Sequence, residues 1–143
     1  MPEIASLEAD DACSERILRD CLEAFPLVRL RVTGDCMRPA VAPGERVLIT
    51  STRRRPPRLG DVVLAMSNEG LRLHRLVWGP PLARASAPWR TMGDRGRRFD
   101  LPLGPSRILG TVVGVEGRSR PPRGLAPVAR SLFRALFLGR GSR

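Results

Sequence analysis

Apolar and polar positions change period twice along this chain, and each change marks a new kind of element. Cys13, Ile17, Leu18, Cys21, Leu22 and Phe25 recur at the 3.6-residue spacing of a helix with one buried face. Asp10 or Asp11 is placed to cap that helix, and Pro26 ends it. From Leu27 the period is two. Val28, Leu30 and Val32 alternate with Arg29, Arg31 and Thr33, which predicts a strand running into Gly34. The turn Ala42-Pro43-Gly44-Glu45 leads to a second strand over Arg46–Thr50. The stretch from Arg53 to Arg58 has no core-forming residue and predicts a solvated loop. Asp61–Met66 and Leu71–Trp78 predict a hairpin around Ser67-Asn68-Glu69-Gly70. A Pro/Gly-rich loop from Gly79 to Pro88 precedes Trp89-Arg90-Thr91-Met92, and Ile108–Val115 is the last expected strand. Helical spacing then returns in Leu125, Val128, Ala129, Leu132, Phe133, Leu136 and Phe137, so a short amphipathic helix is expected after Pro127. A helix of ~12 residues is only about 18 Å long and cannot cross a bilayer.

This order of elements predicts a mainly β domain flanked by a short helix at each end. At 143 residues the chain suits one core. Its expected parts are an N-terminal helix (1–26), a β domain (27–117) and a basic amphipathic C-terminal helix (118–143). No internal repeat is visible.

Charge and composition narrow the chemistry. The chain has no lysine and no tyrosine, and His74 is its one histidine. A lysine general base is therefore excluded, and the remaining candidate bases are His74 and carboxylates. Residues 1–25 hold seven acids against Arg16 and Arg19, whereas the rest carries 23 arginines against seven acids. A cationic field of this kind favours anionic partners. Nucleic-acid binding rests on that charge alone, because only Trp78, Trp89 and four phenylalanines are present to stack on bases. Cys13, Cys21 and Cys36 are an odd set without a disulfide pattern, and Cys13 and Cys21 suit core packing on one helix face. Nothing in the sequence calls for a metal or another cofactor. The acidic N-terminus lacks the apolar run of a signal peptide, which points to a cytoplasmic, thiol-reducing setting. The last helix is expected to pack on the sheet, and contact of its apolar stripe and arginines with the inner face of a membrane is the alternative.

Gly34-Asp35-Cys36-Met37-Arg38-Pro39 places a cysteine at a glycine-containing bend after a strand, where a side chain is presented outward with exposed backbone amides. A thiol used as an acyl-transfer nucleophile needs a base, and an imidazole provides one by forming a thiolate–imidazolium pair. His74 lies 38 residues downstream, within reach only through the fold. Asp94 and Asp100 are the carboxylates available to orient it.

These segments resemble the type I signal peptidases and their LexA-like relatives. Gly34–Pro39 is similar to the Gly-x-Ser-Met-x-Pro box, with Cys36 in place of serine. Gly60-Asp61-Val62-Val63, Leu73-His74-Arg75-Leu76 and Met92-Gly93-Asp94 with Asp100 behind it resemble the following boxes, so the likeness covers roughly residues 28–115. The His-Arg pair and the trailing Asp match the subgroup that uses Ser with His rather than Ser with Lys. The resemblance implies coiled antiparallel sheets, with Cys36 as nucleophile and its own N–H as oxyanion donor. It further implies His74 as base, Asp100 or Asp94 as orienter, and Met37 and Pro39 beside the substrate. The activity implied is hydrolysis of a bond in a specific protein or leader peptide. The alternative is an inactive member of the fold that binds an extended peptide by strand addition. Three departures stand out: Cys for Ser, Arg95 where the family has asparagine, and no transmembrane anchor. A LexA-type repressor is disfavoured, since residues 1–25 are too short and acidic for a DNA-binding domain and no Ala-Gly or Cys-Gly bond is present.

Overall fold

The computed structural model describes residues 3–4, 12–68, 70–80, 82, 84 and 87–138. The proposed caps Asp10 and Asp11, and the side chain of Cys13, lie outside the described residues. The strands are β1 (Glu3–Ile4), β2 (Val28–Arg31), β3 (Arg46–Ser51), β4 (Val62–Ser67), β5 (Gly70–Trp78), β6 (Arg90–Met92) and β7 (Ile108–Val115). Helix α1 (Ala12–Ala24) precedes β2, and α2 (Leu125–Phe133) follows β7 and runs on as a π-helical turn over Arg134–Leu138. The strands form one sheet in the order β1-β2-β3-β7-β4-β5-β6. Every pairing is antiparallel except the two-residue β1–β2 contact.

β4 explains how the layers are arranged. Val62, Val63, Leu64, Ala65 and Met66 are all buried, so both faces of this strand are covered and it reads as an apolar run without alternation. On one face Val62 and Leu64 join the main core with Val28, Leu30, Val47, Ile49, Val112 and Val115, under Leu18 and Leu22 of α1. On the other face Val63 packs with Leu76, Ile108 and Trp89. A third cluster seats Val128, Leu132 and Ala135 against Val77 and Met92, which holds α2 on the sheet.

Helix α1 buries a narrower stripe than its periodicity suggests. Leu18 and Leu22 are fully covered and Cys21 packs beside them, but Ile17 and Phe25 are 51% and 42% exposed. Residues one position from the contact line rotate about 100° away from it, which takes Ile17 out. The helix has no basic residue in its last turn. Arg54 supplies one from the loop between β3 and β4, donating to the carbonyls of Leu22, Phe25 and Glu23 at 3.2, 2.6 and 3.4 Å. A cation there satisfies orphan carbonyls and opposes the negative end of the helix dipole. The arginine-rich loop is thus a helix cap as well as a solvated segment, which corrects the expectation from composition.

Helix α2 starts two residues ahead of Pro127 rather than after it. A proline in the first turn costs nothing there, because its missing N–H has no intrahelical acceptor. The chain enters α2 against Gly60, whose φ is +88° and where a Cβ would lie 2.8 Å from the Gly124 carbonyl oxygen. β6 was not expected as a strand; its three residues are set by pairing with β5, not by local pattern.

The sheet is open, with β1 and β6 at its edges. It curls enough that the end of β2 and the first half of β5, three strands apart in the sheet order, line one groove of about 360 Å³. Residues 70–74 of β5 pair only with β4 among the described residues, since β6 begins its pairing at Arg75. One wall of the groove is therefore a stretch of β5 that β6 does not cover.

Candidate active site

Cys36 is held by a loop that leaves β2 and is fixed from two sides. Within the loop, the Arg38 N–H donates to the Asp35 carbonyl at 3.1 Å and the Val41 N–H to that of Met37 at 3.0 Å. Met37 and Val41 are fully buried in the main core and anchor the loop from below. From across the site, the Arg95 N–H donates to the Cys36 carbonyl at 2.9 Å, and the Arg95 guanidinium pairs with Asp35 at 3.0 Å. Cys36 is half-buried, with its Sγ 3.9 Å from the carbonyl oxygen of Leu73, in the part of β5 that β6 does not cover. Its backbone N–H has no acceptor among the described residues. An amide left free at such a bend is available to a developing oxyanion.

His74 projects from β5 with 8% of its surface exposed. Its Nδ1 meets Asp100 Oδ2 at 2.5 Å. The same carboxylate oxygen accepts from Thr91 Oγ1 at 2.6 Å, and the Asp100 N–H donates to the Thr91 carbonyl at 2.9 Å. The Arg72 guanidinium lies 3.7 Å from Asp100 Oδ1. The other ring nitrogen faces the thiol. A Cβ built on Gly93 would sit 3.2 Å from Cys36 Cβ and 3.3 Å from His74 Nε2, so both groups border one point that only glycine leaves empty. Gly93→Ala is accordingly expected to wedge the thiol and imidazole apart, lowering Cys36 alkylation several-fold with little change in unfolding midpoint.

The electrostatics follow from these contacts. Burial pulls the His74 pKa down, but hydrogen bonds with Asp100 and Cys36, together with their charges, outweigh it and raise the pKa from 6.5 to about 9. Burial pushes Asp100 up, yet hydrogen bonds from His74 and Thr91 and the charges of His74 and Arg72 leave it below its usual value. An imidazolium–carboxylate pair is the result at neutral pH. Stability from the raised histidine is fully present below about pH 6.5 and is lost as pH rises through about 9. Stability from the lowered aspartate is present above the ordinary carboxylate range and fades as pH falls through it. Asp100→Asn should therefore destabilise the fold by on the order of 1–3 kcal/mol near pH 6 and far less at pH 10, checked by urea unfolding at both. The single imidazole makes the check direct by NMR, where the His74 titration midpoint should fall from about 9 in the variant.

Of the residues singled out in the sequence, Cys36, His74 and Asp100 come together and Asp94 does not. Asp94 is the bidentate partner of Arg75, with both bonds at 2.7 Å, and Arg75 has no exposed surface at all. Asp94 is removed from the list of orienting groups because its oxygens are already engaged by a buried cation. Met37 lines the groove beside Cys36 as expected, whereas Pro39 lines a second cavity with Arg38, Arg95 and Arg97. Asp61 of the Gly60-Asp61 box is structural. It is fully buried and accepts the Arg58 N–H at 2.8 Å, with Arg123 at 3.3 Å and Arg55 at 3.5 Å. Thr91 was missed by the sequence reading, although its place two residues before Gly93 was a usable signal. No group of three or more His, Cys, Asp or Glu among the described residues could hold a metal ion.

No family model and no curated protein matches the chain. Judged on geometry alone, Asp100–His74–Cys36 is a carboxylate, an imidazole and a thiol in sequence. It lies at the rim of a groove, beside a backbone amide with no acceptor among the described residues and a stretch of β5 that β6 does not cover. Such a set can hold a proton on the ring while sulfur attacks an acyl carbon.

Proposed function

We propose that this protein is a cytoplasmic peptidase of the signal peptidase/LexA kind, acting on an extended protein segment through Cys36 and His74. The observation that carries the reading is the relay from Asp100 through His74 to Cys36, with the imidazole raised to about 9. The ring is then an imidazolium at neutral pH, and the reaction we propose uses Cys36 as a thiolate beside it, so the step begins from a thiolate–imidazolium pair rather than from general-base removal of a hydroxyl proton.

The substrate strand lies along residues 70–74 of β5, on the side of the strand that β6 does not cover, and its side chains enter the apolar groove over Met37, Leu71 and Leu73. Sγ adds to the scissile carbonyl carbon, and the oxygen takes the negative charge against the Cys36 N–H. The tetrahedral adduct collapses as Nε2–H of His74 gives its proton to the leaving amine, which departs and leaves a thioester on Cys36. Water then loses a proton to the neutral Nε2 and attacks the thioester, releasing the carboxylic acid and restoring the thiolate–imidazolium pair. Asp100, held by Thr91, keeps the ring aimed throughout and stabilises its charge.

Incubating the full chain with a reduced, denatured protein pool and reading new N-termini by mass spectrometry tests this. Cleavage at a restricted set of sequences that Cys36→Ala abolishes is the expected result. The stretch of β5 beyond β6 suits a peptide-binding module equally well, and that reading predicts capture of the same peptides by wild type and Cys36→Ala with no new termini from either.

A further inference from the structure

The second cavity, about 330 Å³, lies on the far side of the Cys36–Pro39 loop from the substrate groove, between the Gly93–Arg97 segment and α2. Five arginines line it: Arg38, Arg95 and Arg97 from the loops, and Arg130 and Arg134 from the helix. Its one acid, Asp94, is already bound bidentately by buried Arg75. Arg95 pairs with Asp35 in solvent, and among the described residues Arg134 donates to the carbonyls of Asp94 and Gly96 and to no carboxylate. Arg38, Arg97 and Arg130 are exposed and have no ion-pair partner among the described residues. Planar guanidinium forks converging on one concavity match the oxygens of a phosphate group.

Helix α2 also carries an apolar surface that no other described residue covers. Leu125, Phe133, Leu136 and Phe137 are 57–68% exposed, and the Phe133 and Phe137 rings stack at 4.8 Å between centroids. No acid occurs after Glu116. A second copy docking through this same surface would set one arginine cluster against another. A polymer track of phosphates would leave Phe133, Leu136 and Phe137 in water.

We infer that α2 docks on an anionic membrane surface, with a lipid phosphate headgroup in the Arg97/Arg130/Arg134 cavity and Phe133, Leu136 and Phe137 in the acyl boundary. Arginine flanking an aromatic and aliphatic stripe is the composition of helices that lie in the interface plane. This inference is independent of peptide cleavage, because none of its residues belongs to the Cys36–His74–Asp100 set.

Co-sedimentation of the full chain with vesicles tests it, comparing phosphatidylcholine alone with phosphatidylcholine containing phosphatidylglycerol. Binding is expected only to the anionic vesicles. Removing one cavity arginine, by Arg97→Gln or Arg130→Gln, should weaken partitioning about fivefold, from ~1 kcal/mol per arginine near a charged surface. Phe133→Ser/Phe137→Ser should weaken it as well without altering retention of inorganic phosphate by the cavity. All four positions are exposed, so unchanged melting curves will show that the variants remain folded. Equal binding to both vesicle types, anionic binding that none of these variants weakens, phosphate retention with no vesicle binding, or tighter binding to a single-stranded oligonucleotide than to anionic vesicles would each overturn the inference.

Discussion

Replacing Asp94 with alanine is expected to destabilise the protein by about 3–5 kcal/mol, the largest effect of any single substitution near the site. Arg75 is wholly enclosed, and Asp94 is its only counter-charge among the described residues. With the carboxylate gone, the guanidinium keeps only carbonyl acceptors, Gly60 at 2.9 Å and Pro122 at 2.6 Å. Those bonds do not offset the cost of an uncompensated charge out of water. Urea unfolding at pH 7 measures the loss. The exposed pair Asp35–Arg95 supplies the contrast, and Asp35→Ala should cost under about 1 kcal/mol. Near-equal losses for the two variants would mean that the Arg75 environment is wetter than described.

The second large effect concerns reactivity. At pH 7, iodoacetamide should modify Cys36 well ahead of Cys21, and His74→Ala should slow the Cys36 reaction by roughly ten- to thirtyfold. The magnitude follows from an isolated thiol being only a few per cent thiolate at that pH, against the thiolate that the proposed reaction uses beside an imidazolium. Asp100→Asn should slow it by less, since the ring stays but loses the carboxylate that aims it and stabilises its charge. Peptide mapping separates the cysteines. If Cys36 and Cys21 react at the same rate in wild type, no thiolate is stored at the site.

Much of the fold was legible because the strands obey local rules. β7 has the bounds its apolar run suggests, and the hairpin β4–β5 turns where Ser67–Gly70 places it. The mainly antiparallel β architecture with two short helices follows from those elements. β6 was not legible, because three residues between loops carry no period of their own and pair only once β5 exists. The exposure of Ile17 and the capping of α1 by Arg54 depend on which elements meet, and no local pattern encodes that.

The site divides in the same way. Cys36, His74 and Asp100 were visible as types in a recognisable order, but the choice between Asp94 and Asp100 was not. In retrospect the strand period decides it. Neighbours on a strand point to opposite faces, so His74 and Arg75 cannot share a carboxylate. Asp100 serves the histidine on the groove side, and Asp94 serves the arginine in the interior. Thr91 and the Gly93 clearance lie a level further down, where contacts across β5 and β6 determine who meets whom.

A covalent thioester is the most direct witness of acyl transfer at this site. The full chain is mixed with the peptide pool that its cleavage products define, quenched in acid within milliseconds to seconds, and mapped by mass spectrometry. The account predicts a peptide-acyl adduct on Cys36 alone, discharged by hydroxylamine and depleted in His74→Ala. Cleavage that persists in Cys36→Ala, or an adduct distributed equally over Cys36 and Cys21, would contradict it.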